Sequence, residues 1–171
     1  MAKPLRDVVG PDLRVLFSGI NPSILSFERG HHFARPGNRF WPALHRSGWT
    51  PRQMSPDEDA DLPALGIGIT NVVDRPTRTA AELGGDEYRA GAAALAELAA
   101  AIRPCVVAVV GIGAYRVGFA RPDAVVGLQD DTIGGRPAWV LPNPSGLNAH
   151  WQLPALAREF AAVREYADGA T

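Results

Sequence analysis

Cysteine is nearly absent from this sequence, and its scarcity excludes several kinds of site. Cys105 is the only cysteine among 171 residues, so an internal disulfide, a cysteine-ligated zinc site and an iron–sulfur cluster are excluded. It lies within an apolar run, which favours a thiol in the core over a reactive nucleophile. His31 and His32 have no partners at metal-ligand spacing. We therefore expect no metal, and we expect both rings to face phosphates or solvent.

Long hydrophobic runs and an excess of one charge are absent as well. No stretch is long enough to span a bilayer, and the N-terminus lacks the apolar core of a signal peptide. We therefore expect a soluble, cytoplasmic protein without a membrane partner. The net charge is −1, yet residues 1–52 carry eight basic residues against three acidic ones. This basic first third fits either a phosphate-facing surface or arginines that only solvate helix faces.

Motifs of common metabolic enzymes are also missing. The sequence contains no Gly-x-Ser-x-Gly elbow and no Walker-type phosphate loop. Gly111-Ile112-Gly113 follows an apolar run, but the third glycine of a dinucleotide fingerprint and its downstream acid are absent. A small α/β hydrolase or a nucleotide-binding enzyme is therefore a disfavoured alternative.

Four short apolar runs predict buried parallel strands. Each is followed by Gly, Asn or Pro, and the four are Leu13–Phe17, Ile67–Val73, Cys105–Val110 and Ala138–Leu141. Helical patterns alternate with them, over residues 38–46, 86–102, 115–119 and 152–167. The acidic stretch Met54–Pro63 is expected to be a surface loop leading into a short helical turn. Together these patterns predict one α/β domain over residues 1–171, a three-layer α/β/α fold with a short, mostly parallel central sheet of four to five strands.

Asn21 is the most informative single residue, because it follows the first apolar run and precedes Pro22. A residue before proline is pushed out of the helical region, so the strand ends there and the amide lies on a stiff turn. Open α/β sheets bind their ligands at the carboxyl ends of such strands. Taken alone, an ordinary structural Asx-Pro turn explains the pair better.

A second Asn-Pro pair changes that interpretation. The segment Leu141-Pro142-Asn143-Pro144-Ser145-Gly146-Leu147 also follows an apolar stretch. Its prolines restrain the backbone, and its small residues allow close approach of a ligand. Leu147 at the tip either folds back into the core or forms a wedge that enters a base stack.

Four segments carry a family resemblance. They are Gly19-Ile20-Asn21-Pro22, Phe33–Trp41, Val73-Asp74-Arg75-Pro76-Thr77 and Asn143-Pro144-Ser145-Gly146-Leu147. In order and spacing they resemble the mismatch-specific uracil-DNA glycosylase and thymine-DNA glycosylase family, of the uracil-DNA glycosylase superfamily, over nearly the whole chain. The resemblance implies a three-layer α/β/α fold and a monofunctional glycosylase that uses no metal or cofactor.

The same resemblance implies a substrate and a reaction. The partner would be double-stranded DNA containing uracil or another mispaired pyrimidine. The enzyme would flip uracil, preferentially mispaired with guanine, out of the duplex and hydrolyse its N-glycosidic bond. The abasic site left behind would initiate base excision repair, and a monomer suits an enzyme that scans DNA.

The first two segments of the resemblance imply the base pocket. Asn21 would orient the attacking water, which an amide can polarise but not deprotonate. Phe33 would stack on the flipped base, unless it is an ordinary core aromatic. Backbone N–H groups near Ile20 and Phe33 would donate to the uracil edge. The remaining pocket residues are Gly19, Pro22 and Ser23; the family commonly has Gly at position 23, which leaves base selectivity open.

Asp74 is a second catalytic candidate. It follows the second apolar run, so we expect it at the same sheet edge as Asn21. A carboxylate there could accept a proton from water or stabilise the oxocarbenium ion. A salt bridge to Arg75, or a cap for the segment after Pro76, is the competing interpretation.

The last segment matches the insertion loop of the family. Leu147 would fill the gap left by the flipped base, with Ser145 and Gly146 packed against strand backbone. Where the family commonly has Ser-Arg after the leucine, this chain has Asn148-Ala149, so His150 or Trp151 is a candidate substitute for the arginine. DNA contacts are expected from Asn143, Pro144, Ser145, Gly146, Leu147, Asn148 and His150. The alternative function is a non-catalytic module that recognises mismatched or damaged DNA.

Overall fold

The computed structural model describes residues 5–170, which form a five-stranded sheet between two layers of helices. The first half contains β1 (Val15–Gly19), α1 (Ile24–Arg29), α2 (Phe40–Arg46) and β2 (Ile67–Asn71). The second half contains α3 (Gly85–Ile102), β3 (Val106–Val110), α4 (Ile112–Gly118), β4 (Gly127–Ile133), β5 (Arg136–Leu141) and α5 (Leu153–Gly169). The predicted α/β/α fold with a mostly parallel sheet is confirmed.

The strand order creates a topological switch point between the neighbouring strands β1 and β3. The order is β2-β1-β3-β5-β4, in which β4 alone is antiparallel to its neighbour. The chain moves from β1 outward to β2, whereas from β3 it moves the opposite way to β5. Ligands of open α/β sheets bind outside the carboxyl ends of strands at such a reversal.

Both faces of the central strands are covered, which explains their continuous apolar runs. On one face, Phe17 lies between α2 and α5, with its ring centroid 5.4 Å from those of Phe40 and Phe160. On the other face, Leu95 of α3 packs in a cluster with Val107. Cys105 is half-buried against the first layer, as expected of a core thiol.

Several element boundaries differ from the sequence expectations. β2 ends at Asn71, two residues before the expected end of the run at Val73. The edge strand β4 and the helix α1 were not among the predicted elements. The stretch Met54–Pro63, expected to be a surface loop leading into a short helical turn, contains the 3₁₀ turn Pro56–Asp61. The carboxylate of Asp59 in this turn is nevertheless buried, with the residue only 4% exposed.

Candidate active site

A cavity of about 200 Å³ lies at the carboxyl ends of the parallel strands. Residues that follow or end these strands form its floor and walls, namely Ile20, Asn21, Asn71, Val110 and Asn143. A cavity of about 150 Å³ is large enough to hold benzene. This one can therefore hold a single six-membered ring such as a pyrimidine.

The side-chain amide of Asn21 is held in one orientation. Its Nδ2 atom donates to the Arg75 carbonyl oxygen at 2.8 Å and to the Thr77 hydroxyl at 2.8 Å. Thr77 in turn donates to the carbonyl oxygen of Thr79 at 2.8 Å. Both N–H groups of the amide are thus used, and no described residue donates to Oδ1. The amide oxygen is therefore available to accept a hydrogen bond from water in the cavity.

The segment that holds Asn21 is itself anchored at two points. The N–H of Val73 donates to the carbonyl of Ile20 at 2.9 Å, which extends the β1–β2 pairing beyond the strands. The Arg75 guanidinium bonds both carboxylate oxygens of Glu87, at 2.8 and 2.9 Å. This hydrogen bonding lowers the pKa of Glu87 to about 2. The Asn21 acceptors therefore belong to a segment that α3 keeps in place.

Phe33 belongs to both the core and the cavity wall. It is half-buried, and its ring stacks on Phe40 with centroids 4.1 Å apart. Its backbone adopts a positive φ of 52°, and its N–H has no acceptor in the described part of the chain. A side chain on Gly19 would place Cβ 3.3 Å from the Phe33 ring and 2.5 Å from Asn71 Oδ1. Glycine at position 19 thus leaves room for both cavity residues.

A buried carboxylate fixes the backbone that leads to Phe33. Asp59 accepts a hydrogen bond from the His32 N–H at 3.0 Å and contacts His31 Nδ1 at 3.1 Å. The His32 ring bonds the Arg6 carbonyl at 2.7 Å and is 2% exposed. Burial lowers the pKa of His32 below its ordinary value. The expectation that both rings face phosphates or solvent is therefore wrong for His32, which is buried on the Arg6 carbonyl. The His31 side chain keeps 35% exposure beside Asp59.

Ser23 links α1 to the same segment. Its hydroxyl accepts from the Ser26 N–H at 3.1 Å, which caps the helix, and donates to the Ser26 hydroxyl at 3.0 Å. Ser26 Oγ accepts from the Ala34 N–H at 2.9 Å. The serine at position 23 is thus part of the hydrogen bonding beside Phe33.

Asn71 is a cavity residue that the sequence interpretation missed. It ends β2 directly opposite Gly19 in the strand register and is half-buried. Its side-chain amide bonds to no other described residue. Its two N–H groups and its oxygen are therefore available as donors and as an acceptor for a ligand. The signal was present, because asparagine is uncommon inside strands and its position in an apolar run indicates a strand end.

Asp74 is not brought together with Asn21. It is exposed and is absent from the residues that line the cavity. Partial burial and the nearby Asp7 carboxylate raise its pKa. Arg75, its expected salt-bridge partner, pairs with Glu87 instead.

The loop after β5 uses its polar side chains internally. Asn143 Oδ1 accepts from the Ser145 N–H at 2.9 Å, and Ser145 Oγ accepts from the Leu147 N–H at 3.2 Å. Asn148 donates to the Asn143 carbonyl at 3.0 Å and accepts from the His150 N–H at 3.1 Å. Leu147 is 71% exposed at the cavity mouth. It does not fold back into the core, and Pro144 is buried while His150 is exposed.

Arg39 clamps this loop and was also missed. Its guanidinium donates to the carbonyl oxygens of Asn148 at 2.9 Å and Trp151 at 3.0 Å. Gly146 packs against the backbone at Gly37, whose oxygen would lie 2.6 Å from an added Cβ. The loop therefore rests on the segment that follows Phe33.

Membrane-spanning helices and metal-binding clusters are both absent from residues 5–170. None of the described helices combines the length and the apolar character that crossing a membrane requires. In the same residues, no three His, Cys, Asp or Glu side chains are grouped so that they could hold a metal ion.

Comparison with known proteins agrees with this geometry. The family described as the uracil DNA glycosylase superfamily matches the chain over residues 7–167. A solution NMR structure of a candidate uracil DNA glycosylase from Methanosarcina acetivorans superposes with a TM-score of 0.67, covering 96% of this chain and 98% of that one. The two sequences are 20% identical, so this likeness shows a shared fold. The match over residues 7–167 establishes that the chain belongs to the uracil DNA glycosylase superfamily.

Proposed function

We propose that this protein removes uracil from DNA by hydrolysing the N-glycosidic bond, after the nucleotide has rotated out of the duplex. The observation that carries the proposal is the fixed Asn21 amide, whose oxygen is available in a cavity large enough for one pyrimidine. A base inside a duplex cannot be attacked, so the cavity has to receive it in the flipped state.

The cavity offers what recognition of a flipped uracil requires. The Phe33 ring provides a stacking surface, and stacking of a base on an aromatic ring contributes about 1–3 kcal/mol. The Asn71 amide presents a donor and an acceptor, which match the carbonyl and N–H of the imide edge. The unpaired Phe33 N–H is a further donor to a uracil oxygen.

The chemistry follows from which groups line the cavity. The glycosidic bond breaks with oxocarbenium character on the sugar, and uracil leaves with the bonding electrons. Water held by Asn21 Oδ1 attacks the anomeric carbon, and its surplus proton passes to solvent. The described lining contains no Asp or Glu that could act as a base. Catalysis would therefore rest on positioning and electrostatics, with donors to the uracil oxygens stabilising the departing anion.

We also propose that the reaction stops at the abasic site. Strand cleavage by a glycosylase requires an amine nucleophile that forms a Schiff base with the sugar. The only lysine of the sequence is Lys3, and it lies outside the described residues. No amine lines the described cavity, which supports a monofunctional hydrolase.

A preference for G·U pairs would arise from the cost of flipping. Unpairing and unstacking cost a few kcal/mol and cost least at a mismatch. Leu147 is exposed where it can enter the vacated space. The amide oxygens of Asn143 and Asn148 accept hydrogen bonds within the loop, and the opposite guanine would be sensed mainly through pair stability.

Single-turnover excision tests the proposal. End-labelled duplexes with G·U, A·U or G·T, and the matching single strands, are incubated with excess enzyme in EDTA, and abasic sites are revealed with alkali. We expect cleavage of uracil substrates with wild type and loss of cleavage with Asn21→Ala. Binding of the G·U duplex without any excision would contradict the enzymatic proposal and favour a recognition module.

A further inference from the structure

Two arginines at the cavity mouth have no partner among residues 5–170. Arg35 lies in the segment that carries Phe33, and Arg78 lies in the segment that holds Asn21; both are exposed and line the cavity. Neither guanidinium forms an ion pair or hydrogen bond with another described residue. Some other exposed arginines are paired, such as Arg75 with Glu87, whereas Arg46 lacks a described partner but lies outside the cavity lining.

The described lining of the cavity carries positive charge and no acidic residue. The described cavity lining contains no Asp or Glu, and its other polar members are amides, hydroxyls and His32. Two cations from different walls therefore face solvent at the entrance of a base-sized cavity whose described lining contains no acid. Such an arrangement favours an anionic ligand, and guanidinium is well matched to phosphate oxygens.

The covalent structure of a polynucleotide identifies the anion. A base inside the cavity places its sugar at the mouth, and the 5′ and 3′ phosphates of that sugar must lie beside it. We propose that Arg35 and Arg78 bind the two phosphates that flank the flipped nucleotide, so that the protein grips the damaged strand itself. This inference rests on the proposed function, and it adds single-stranded uracil-containing DNA to the substrates.

The loop that carries Leu147 offers no comparable cationic contact to the opposite DNA strand. Residues 143–151 contain no lysine or arginine. Arg39 lies beneath this loop, but its guanidinium is occupied by the carbonyls of Asn148 and Trp151. The loop therefore presents the apolar Leu147 to the duplex, and the charged contacts remain on the damaged strand.

Neutral phosphate analogues test the two contacts one at a time. Fluorescence anisotropy would measure binding of single-stranded oligonucleotides with one uracil, in which the phosphate 5′ or 3′ to it is replaced by a methylphosphonate. The Asn21→Ala protein, which prevents cleavage, is the parent for Arg35→Gln and Arg78→Gln. Arg46→Gln is the matched control, because Arg46 is exposed, lacks a described partner and does not line the cavity.

We expect each methylphosphonate to weaken binding by the parent, and one of the two to have no effect on the variant that lacks the corresponding arginine. The slope of log K against log salt should fall by about 0.7 for each arginine removed. Arg46→Gln should retain both the slope and the sensitivity to methylphosphonates. Equal sensitivity in all four proteins would overturn the inference.

Wild-type excision on the unmodified oligonucleotides is scored in parallel and separates the two proposals. If the protein excises uracil but the methylphosphonate effects are the same with and without each arginine, this inference alone is overturned. If those effects depend on the arginines but no uracil is excised, the phosphate site is supported and the proposed function is contradicted. Absence of binding to every oligonucleotide overturns both.

Discussion

The hydroxyl of Thr77 lies 2.8 Å from the amide nitrogen of Asn21, 56 positions away in the chain. Because this hydroxyl donates to the Thr79 carbonyl, it is an acceptor toward Asn21. The Arg75 carbonyl is the second acceptor. A reversed amide would set its oxygen against that carbonyl, so these contacts determine which end of Asn21 faces the cavity.

Replacing Thr77 with valine should therefore slow excision. The variant keeps the shape of the side chain but removes the acceptor, so the amide can rotate away from the position that holds water. Loss of catalytic positioning of this kind costs about 100-fold. Single-turnover rates at saturating enzyme measure the effect, and Thr77→Ser should restore most of the rate. Valine and serine variants with equal rates would exclude this role for the hydroxyl.

Asp74→Asn should retain the excision rate, whereas Asn21→Ala should lose about 100-fold or more. Asp74 is exposed and lies outside the cavity lining, so its carboxylate is not placed to act on the sugar or the water. Both variants are compared with wild type on the same G·U duplex. A loss in Asp74→Asn as large as that in Asn21→Ala would restore Asp74 as a catalytic group.

Gly19→Ala should impair base binding without unfolding the protein. The new Cβ would lie 2.5 Å from Asn71 Oδ1, and the amide can move aside because it is the end of a flexible side chain. The base would then lose its imide partner and part of its stacking surface on Phe33. Gly113→Ala is the matched control, since an added Cβ there meets nothing within 4 Å. Inhibition by free uracil should weaken in Gly19→Ala and remain unchanged in Gly113→Ala.

The fold could be predicted because the central strands are buried on both faces. Val106–Val110 is apolar at every position, and such a run followed by glycine is typical of a parallel strand. The edge strand β4 escaped notice because it is mostly exposed and carries charged residues. Its pairing with β5 had a local signal, because Gly134-Gly135 forms the two-residue hairpin turn between Ile133 and Arg136, with positive φ at both glycines.

The site could be predicted only where a motif marked a strand end. Asn21 was found because Pro22 ends the strand beside it. Asn71 was not predicted as a site residue because the apolar run continues to Val73, whereas β2 ends at Asn71. The same difference of two residues in the strand end explains why Asp74 was expected at the sheet edge. Arg39 was missed because its partners lie more than a hundred residues away, at a distance that no local spacing reveals.

The thermal stability should fall as the pH drops from 7 to 5, in part because of His32. Burial lowers the pKa of this ring below its ordinary 6.5, so below about that pH the unfolded chain binds more protons than the folded one. The free energy of unfolding then decreases with falling pH and is insensitive to His32 at higher pH. Melting curves at several pH values should show a flatter dependence for His32→Gln. The exposed His150→Gln is the control, and parallel curves for all three proteins would contradict the assignment.

Leu147→Ala should impair excision in duplexes and leave single strands unaffected. The side chain is 71% exposed at the cavity mouth, where it can stabilise the flipped state only by filling a gap in a base stack. A single strand has no such gap, so the wedge contributes nothing there. Val125→Ala removes an apolar side chain of similar exposure, 67%, outside the described cavity lining, and should change neither rate.

The same experiment distinguishes two explanations of a G·U preference, namely a low free-energy cost of flipping the nucleotide and direct recognition of the opposite guanine. If G·U is preferred because it unpairs easily, the ratio of G·U to A·U rates should persist in Leu147→Ala while both rates fall by roughly tenfold, a share of the few kcal/mol that unstacking costs. Loss of the ratio would mean that Leu147 senses the opposite base. Equal losses on duplex and single strand would mean that the residue shapes the cavity and does not act as a wedge. We expect the ratio to persist, because the stability of the base pair does not depend on the Leu147 side chain.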